Sequence, residues 1–167
     1  MTTLLEHLRQ EFEAEVETTR KFLKIVPQDK FEWRPHPKSM GLRQLAVHVA
    51  ELPTWIPLAI NTDELDFTKE AYNPVKLEST KELLDYFEKN VEQGRAALAT
   101  ADPDQFDKQW LLRSGETIHV DTTKYGMMRV AMSQTIHHRA QLGVFLRLLD
   151  VPIPGSYGPS ADEQNFL

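Results

Sequence analysis

Apolar residues recur at helical spacing in four long segments of the chain. The first segment covers residues 3 to 25, carries Glu and Arg on its other face, and is followed by Pro27. A second helix is expected to begin after Ser39, which is a reasonable N-cap. Pro53 and Pro57 should kink or interrupt this helix, because proline lacks an amide donor and crowds the preceding turn.

The second half of the chain contains two further helical segments. A third helix is expected to start at Ser79, with Glu82 completing a capping box. The last helix runs from about 122 to 149 without a proline. The connection over residues 101–121 allows a short hairpin-like turn near Gly115. The final segment has three prolines and two glycines and is therefore irregular, although its apolar residues should pack on the surface. These patterns predict an all-α four-helix bundle.

Composition narrows the possible classes of protein. A length of 167 residues predicts one domain over 1–167, large enough for a hydrophobic core. The absence of cysteine excludes a disulfide scaffold, a cysteine zinc finger and a catalytic thiol of the chain's own. A net charge of −6 argues against nucleic acid or a membrane surface as a partner. The acidic start does not resemble a secretory signal, so we expect a cytoplasmic protein.

Two helices place histidine among leucines. In the last helix, the apolar stripe extends backwards by four and eight residues from Leu142 to His138 and Gln134, which predicts that both face the core. In the second helix, His48 lies between Leu45 and the following apolar residues. An unsatisfied buried polar group costs about 1–3 kcal/mol, so these side chains need partners. A metal between the helices and ordinary hydrogen bonds in the core both remain possible.

The run HHRAQLGVFLRLLDVPIPGSYGPSADE resembles the C-terminal signature of the DinB-like (DinB/YfiT-like) family, and WRPHPKSMGLRQLAVHVAEL resembles its second-helix motif. This resemblance implies a bundle with long crossover connections and a divalent metal, zinc or nickel, held by three histidines. Carried over to this sequence, two of the ligands fall on His48 and His138. The third falls on Gln134, at a position where the family usually has histidine. Glutamine is a weaker ligand, so the site could bind metal weakly, take another metal, complete its shell with water or be empty.

The resemblance also implies a metal-dependent transferase or hydrolase acting on a small-molecule substrate, with a low-molecular-weight thiol as cosubstrate, and a homodimer. The alternative is a non-catalytic dimeric bundle that has lost full metal binding because of Gln134. His137 is better interpreted as an edge residue or a donor to a ligand than as a replacement ligand, because adjacent helical residues diverge by about 100°. The catalytic residues remain unknown, with Glu51, Asp162 and Glu163 as candidate general bases.

Overall fold

The structure is a computed structural model that describes residues 3–69 and 73–164. Its helices are α1 (Leu4–Lys24), α2 (Leu42–Glu51), α3 (Trp55–Asn61), α4 (Thr80–Thr100) and α5 (Lys124–Leu148). The helices α2 and α3 together form the second helical segment, which a 3₁₀ turn at Leu52–Thr54 interrupts next to Pro53. The all-α four-helix bundle is thus confirmed, including the break at the first of the two prolines.

Local sequence signals determine where the helices begin. Thr3 and Glu6 form a capping box at the start of α1. The prediction that Ser39 is the N-cap of α2 is wrong, because Gly41 occupies this position. At α4, the Ser79 hydroxyl accepts a hydrogen bond from the Glu82 amide at 3.1 Å. The Glu82 carboxylate, however, accepts from the amide of residue 78 at 2.8 Å, so only one half of the predicted capping box forms.

The chain order of the helices differs from their order in space. Helix α1 packs on α4 and α5, and the α2–α3 segment packs on the same two helices. Consecutive segments are therefore separated by long connections, as the predicted crossover topology requires. Close contact between α1 and α4 depends on Gly94, since a Cβ at this position would come within 2.6 Å of the Phe12 ring. The buried apolar side chains of the described residues form one connected cluster.

A small sheet covers one end of the bundle. Its strands are β1 (Glu64–Asp66), β2 (Gln109–Ser114) and β3 (Thr117–Thr123) in the spatial order β1-β2-β3, with β1 parallel and β3 antiparallel to β2. The hairpin is thus longer than the predicted turn, and β3 extends to the N-cap of α5. In β2, Trp110 is fully buried and donates from its indole nitrogen to the Thr62 hydroxyl at 3.1 Å.

The tail after α5 lies against the bundle. Val151 and Ile153 pack on the core, in agreement with the prediction. The carboxylate of Asp162 pairs with Arg147 and accepts from the amide of Ile153 at 3.0 Å. Among the described residues, no helix is long and apolar enough to cross a membrane.

Candidate metal centre

The two histidines singled out by the sequence meet between α2 and α5. The imidazole centroids of His48 and His138 are 4.5 Å apart, and the ring planes make an angle of 81°. Both residues are half-buried, in keeping with their position at the edge of the apolar faces of their helices. The bundle thus brings together two nitrogen donors that are far apart in the sequence.

A carboxylate one helical turn away orients His48. The Nδ1 atom of His48 lies 2.7 Å from Oε1 of Glu51, which is largely buried at 9% exposure. Because an ionised carboxylate can only accept hydrogen bonds, Nδ1 carries the proton and donates it. The lone pair of His48 is therefore on Nε2. This carboxylate–histidine arrangement is the one that commonly supports a metal-bound imidazole.

An amide plays the corresponding part for His138. The Nδ1 atom of His138 lies 3.0 Å from Oε1 of Gln141, so the ring donates to the amide oxygen and keeps its lone pair on Nε2. The amide nitrogen of Gln141 in turn donates to Nε2 of His137 at 3.1 Å. This hydrogen bond occupies the lone pair of His137, which supports its interpretation as an edge residue and not as a replacement ligand.

The environment of His138 favours the neutral ring. Partial burial lowers the pKa of His138 below its ordinary value, the hydrogen bond that His138 donates to Gln141 acts in the opposite direction, and the neighbouring His48 and His137 lower the pKa further. A neutral imidazole is the form that binds a metal. The electrostatics of the site therefore keep the Nε2 lone pair of His138 available at neutral pH.

Gln134 lies on the solvent side of α5, and the prediction that it faces the core is wrong. Its side chain is exposed and lines an open groove of about 670 Å³, together with His138, His137 and residues of the preceding turns. The helix is turned so that smaller and more apolar residues, such as Ala131 and Thr135, occupy the buried positions nearby. Gln134 remains one turn before His138 and on the same groove, so it can reach toward the site from the open side.

The nitrogen donors brought together here are the two imidazoles of His48 and His138. Within residues 3–69 and 73–164, no group of three or more His, Cys, Asp or Glu side chains is arranged to hold a metal ion. The third position of any centre formed by His48 and His138 would therefore belong to the Gln134 amide oxygen or to solvent. Both are weaker ligands than imidazole for zinc or nickel.

The candidate general bases separate into two groups. Glu51 touches His48, as described above, and so belongs to the site. Asp162 and Glu163 instead hold the tail together, since Asp162 pairs with Arg147 and the Glu163 carboxylate accepts from the amide of Gly155 at 2.7 Å. Within the described residues, no hydrogen bond joins either tail carboxylate to His48 or His138.

Sequence reasoning missed three contributions near this centre. The support of His48 by Glu51 and the bridge made by Gln141 both follow an i, i+3 or i, i+4 spacing, which could have identified them. Arg139, by contrast, is 2% exposed and pairs with Glu15 of α1 at 2.6 Å, also donating to the Thr19 hydroxyl at 3.1 Å. No local pattern shows that an arginine beside two histidines points into the core.

A helical bundle with a histidine pair between its second and last helical segments is the class of protein that these observations define. The DinB family matches residues 1–165, and the chain belongs to this family. No protein among curated sequences matches it.

Three solved structures have the same fold. The DinB-like protein YjoA of Bacillus subtilis is 16% identical, with a TM-score of 0.69 over 95% of this chain and 99% of that one. A DinB-like protein of Bacillus cereus is 18% identical, with a TM-score of 0.72 over 94% and 100% of the two chains. A DinB family member of Exiguobacterium sibiricum is 24% identical, with a TM-score of 0.69 over 93% and 97%. At these identities the likeness concerns the fold alone.

Proposed function

We propose that the chain is a divalent-metal-dependent transferase or hydrolase whose metal, zinc or nickel, is bound by Nε2 of His48 and Nε2 of His138. The observation that carries this proposal is the pairing of the two rings at 4.5 Å with both Nδ1 atoms engaged by oxygen acceptors. With Nδ1 of each ring engaged in this way, the lone pair of each ring is on Nε2, at two half-buried histidines from different helices.

Each protein group has a defined part in this proposal. Glu51 fixes the ring of His48 and increases its basicity, while Gln141 fixes the ring of His138. Gln134 supplies a weak third ligand from the open side of the groove. The incomplete protein shell leaves room for a small molecule, and a bound divalent metal lowers the pKa of a coordinated water or thiol. Since the chain has no cysteine, a thiol would have to come from a low-molecular-weight cosubstrate.

The test is metal uptake by protein purified without an affinity tag. The stripped protein should take up close to one equivalent of zinc or nickel, measured by elemental analysis after removal of free metal. His48→Ala and His138→Ala should each abolish this uptake. His119→Ala is the matched control, because His119 lies exposed on β3 and bonds to Ser114. Full metal content in either of the first two variants would overturn the ligand assignment.

A second candidate function is a non-catalytic bundle that has lost full metal binding. It is favoured by the absence of a three-residue His, Cys, Asp or Glu cluster in the part of the chain that the structure describes. In this case Glu51 and Gln141 satisfy the two histidines through hydrogen bonds alone. The expected result is a folded protein that takes up no metal under the conditions above, and whose melting temperature is unchanged by zinc or nickel.

A further inference from the structure

The groove beside the histidine pair contains a cationic side chain and no carboxylate in its walls. The residues that line it, all within the described part of the chain, are Arg129, Val130, Ser133, Gln134, His137 and His138 of α5. This composition contrasts with that of the whole chain, which has 25 Asp and Glu residues against 19 Lys and Arg residues. A groove that offers positive charge and hydrogen-bond donors favours anions over cations.

A carboxylate of α1 holds one end of the Arg129 side chain. Nη1 of Arg129 donates to the carboxylate of Glu11 and lies 3.4 Å from Sδ of Met132. These contacts use one of the two terminal nitrogens of the partly buried guanidinium. The described residues provide no hydrogen-bond partner for the other two nitrogens, Nε and Nη2. We call these two atoms the open fork of Arg129.

Other arginines of the chain show what this pair of nitrogens binds. In Arg20, Arg95 and Arg113, Nε and Nη2 donate to the two oxygens of a single glutamate. This bidentate geometry suits an oxyanion, because two parallel N–H groups match the spacing of carboxylate or phosphate oxygens. Within the described residues the same atoms of Arg129 have no such acceptor, and this side chain lines a groove that is open to a ligand.

Two neutral side chains continue the row of donors toward the histidine pair. Ser133 and His137 follow Arg129 at intervals of four residues, which places the three on one ridge of α5. The Ser133 hydroxyl makes no hydrogen bond to the described residues. Nε2 of His137 accepts from Gln141, so the proton of this ring is on Nδ1. A ligand along this ridge therefore meets donors from Arg129 up to the histidine pair.

We propose that the open fork of Arg129 binds a terminal oxyanion, a carboxylate or a phosphate, of the substrate of the metal centre. Arg129 lies nine residues before His138, about 13.5 Å along the helix axis. The substrate is therefore an elongated small molecule with its oxyanion at one end and its reacting group at the other. Anion binding at Arg129 does not depend on a metal, whereas its part in substrate recognition rests on the proposed function.

The charge at the other end of the groove also favours an anionic substrate. His48, His138 and Gln134 are neutral ligands, so a divalent metal held by them would keep its positive charge. The carboxylate nearest to this end, that of Glu51, is engaged by Nδ1 of His48. Both ends of the groove thus attract negative charge.

Titration of the metal-free protein with inorganic phosphate and, separately, with acetate tests the anion site. At constant ionic strength, at least one of the two should shift the NMR signals of the Arg129 Nε–H group and of the neighbouring α5 amides in a saturable way. Arg129→Gln should weaken this binding by about tenfold or more, because two charge-assisted hydrogen bonds are lost. The anion that binds more tightly identifies the oxyanion as phosphate or carboxylate. No saturable binding of either anion would overturn the proposal.

Two further variants separate the open fork from charge alone. Arg129→Lys keeps the positive charge but has no fork, so it should bind the anion less tightly than the parent protein. Arg95→Gln is the matched control, because Arg95 is similarly exposed and also pairs with α1, but its fork is already filled by Glu13. This variant should bind like the parent protein. Equal weakening in Arg129→Gln and Arg95→Gln would show non-specific attraction to surface charge and would overturn the proposal.

Metal uptake separates this proposal from the preceding one. If the protein binds the anion through Arg129 but takes up no zinc or nickel, the proposed function fails together with the substrate role, and the anion site stands. If the protein takes up metal through His48 and His138 but binds neither anion, the proposed function stands and the anion site is refuted.

Discussion

The rings of His48 and His138 meet edge to face, with centroids 4.5 Å apart. Each ring is held by a residue three positions further along its own helix, Glu51 in α2 and Gln141 in α5. The two helices therefore contribute matching units, a histidine and its orienting oxygen. In both units the oxygen accepts the proton of Nδ1, so the lone pair of each ring is on Nε2.

Replacement of Glu51 by Gln tests the orienting unit of α2. We expect Glu51→Gln to weaken zinc or nickel binding by about 10–100-fold, because a neutral amide oxygen is a weaker acceptor for the Nδ1 proton than a carboxylate and does not raise the basicity of His48 as the carboxylate does. Affinity is measured by competition with a chromophoric chelator. Glu92→Gln, at an exposed carboxylate of α4, is the control. Equal affinities for the two variants would show that the carboxylate has no part in metal binding.

Replacement of Gln134 by His should restore the third imidazole. Since Gln134 lies one turn before His138 and lines the same groove, Gln134→His should raise metal affinity at least tenfold, the order of effect expected when an imidazole replaces a neutral amide oxygen. Ser133→His is the control, because it adds a histidine to the same groove but about 100° away around the helix. A gain of equal size in both variants would indicate general surface binding and not a defined third position.

Protonation of His138 should occur at lower pH than for an ordinary histidine. In the metal-free protein, its imidazole resonances should titrate with a midpoint below the ordinary pKa of 6.5, because partial burial disfavours the charged ring. The unfolded chain then binds more protons than the folded one, so this residue makes the free energy of unfolding fall as the pH drops from 6.5 toward the folded pKa. His138→Gln should remove this part of the pH dependence. A titration midpoint of His138 at or above 6.5 would contradict this lowered pKa.

Helical periodicity was enough to predict the bundle and its histidine pair, because burial of apolar faces determines how α2 and α5 are turned. It failed at Gln134, where the stripe defined by Leu142 was extended over two turns and small errors in rotation accumulated. It also failed for the sheet, since β1 pairs with β2 across a long sequence separation that no local pattern records. The burial of Arg139 depends in the same way on Glu15, which lies in another helix.

The Arg139–Glu15 pair should be important for stability. Both side chains are buried, and the hydroxyl of Tyr157 in the tail also donates to the Glu15 carboxylate. Arg139→Met leaves that carboxylate without its cation, and we expect the free energy of unfolding to fall by about 3–5 kcal/mol in urea denaturation.

Arg95→Met is the control. Arg95 of α4 pairs with Glu13 of α1, so this ion pair also joins two helices, but both of its side chains are partly exposed. The expected loss in the free energy of unfolding is therefore about 1 kcal/mol or less. Adding Glu15→Leu to Arg139→Met should recover much of the lost stability, since no unpaired charge then remains in the core. Similar losses for Arg139→Met and Arg95→Met would contradict a special role for the buried pair.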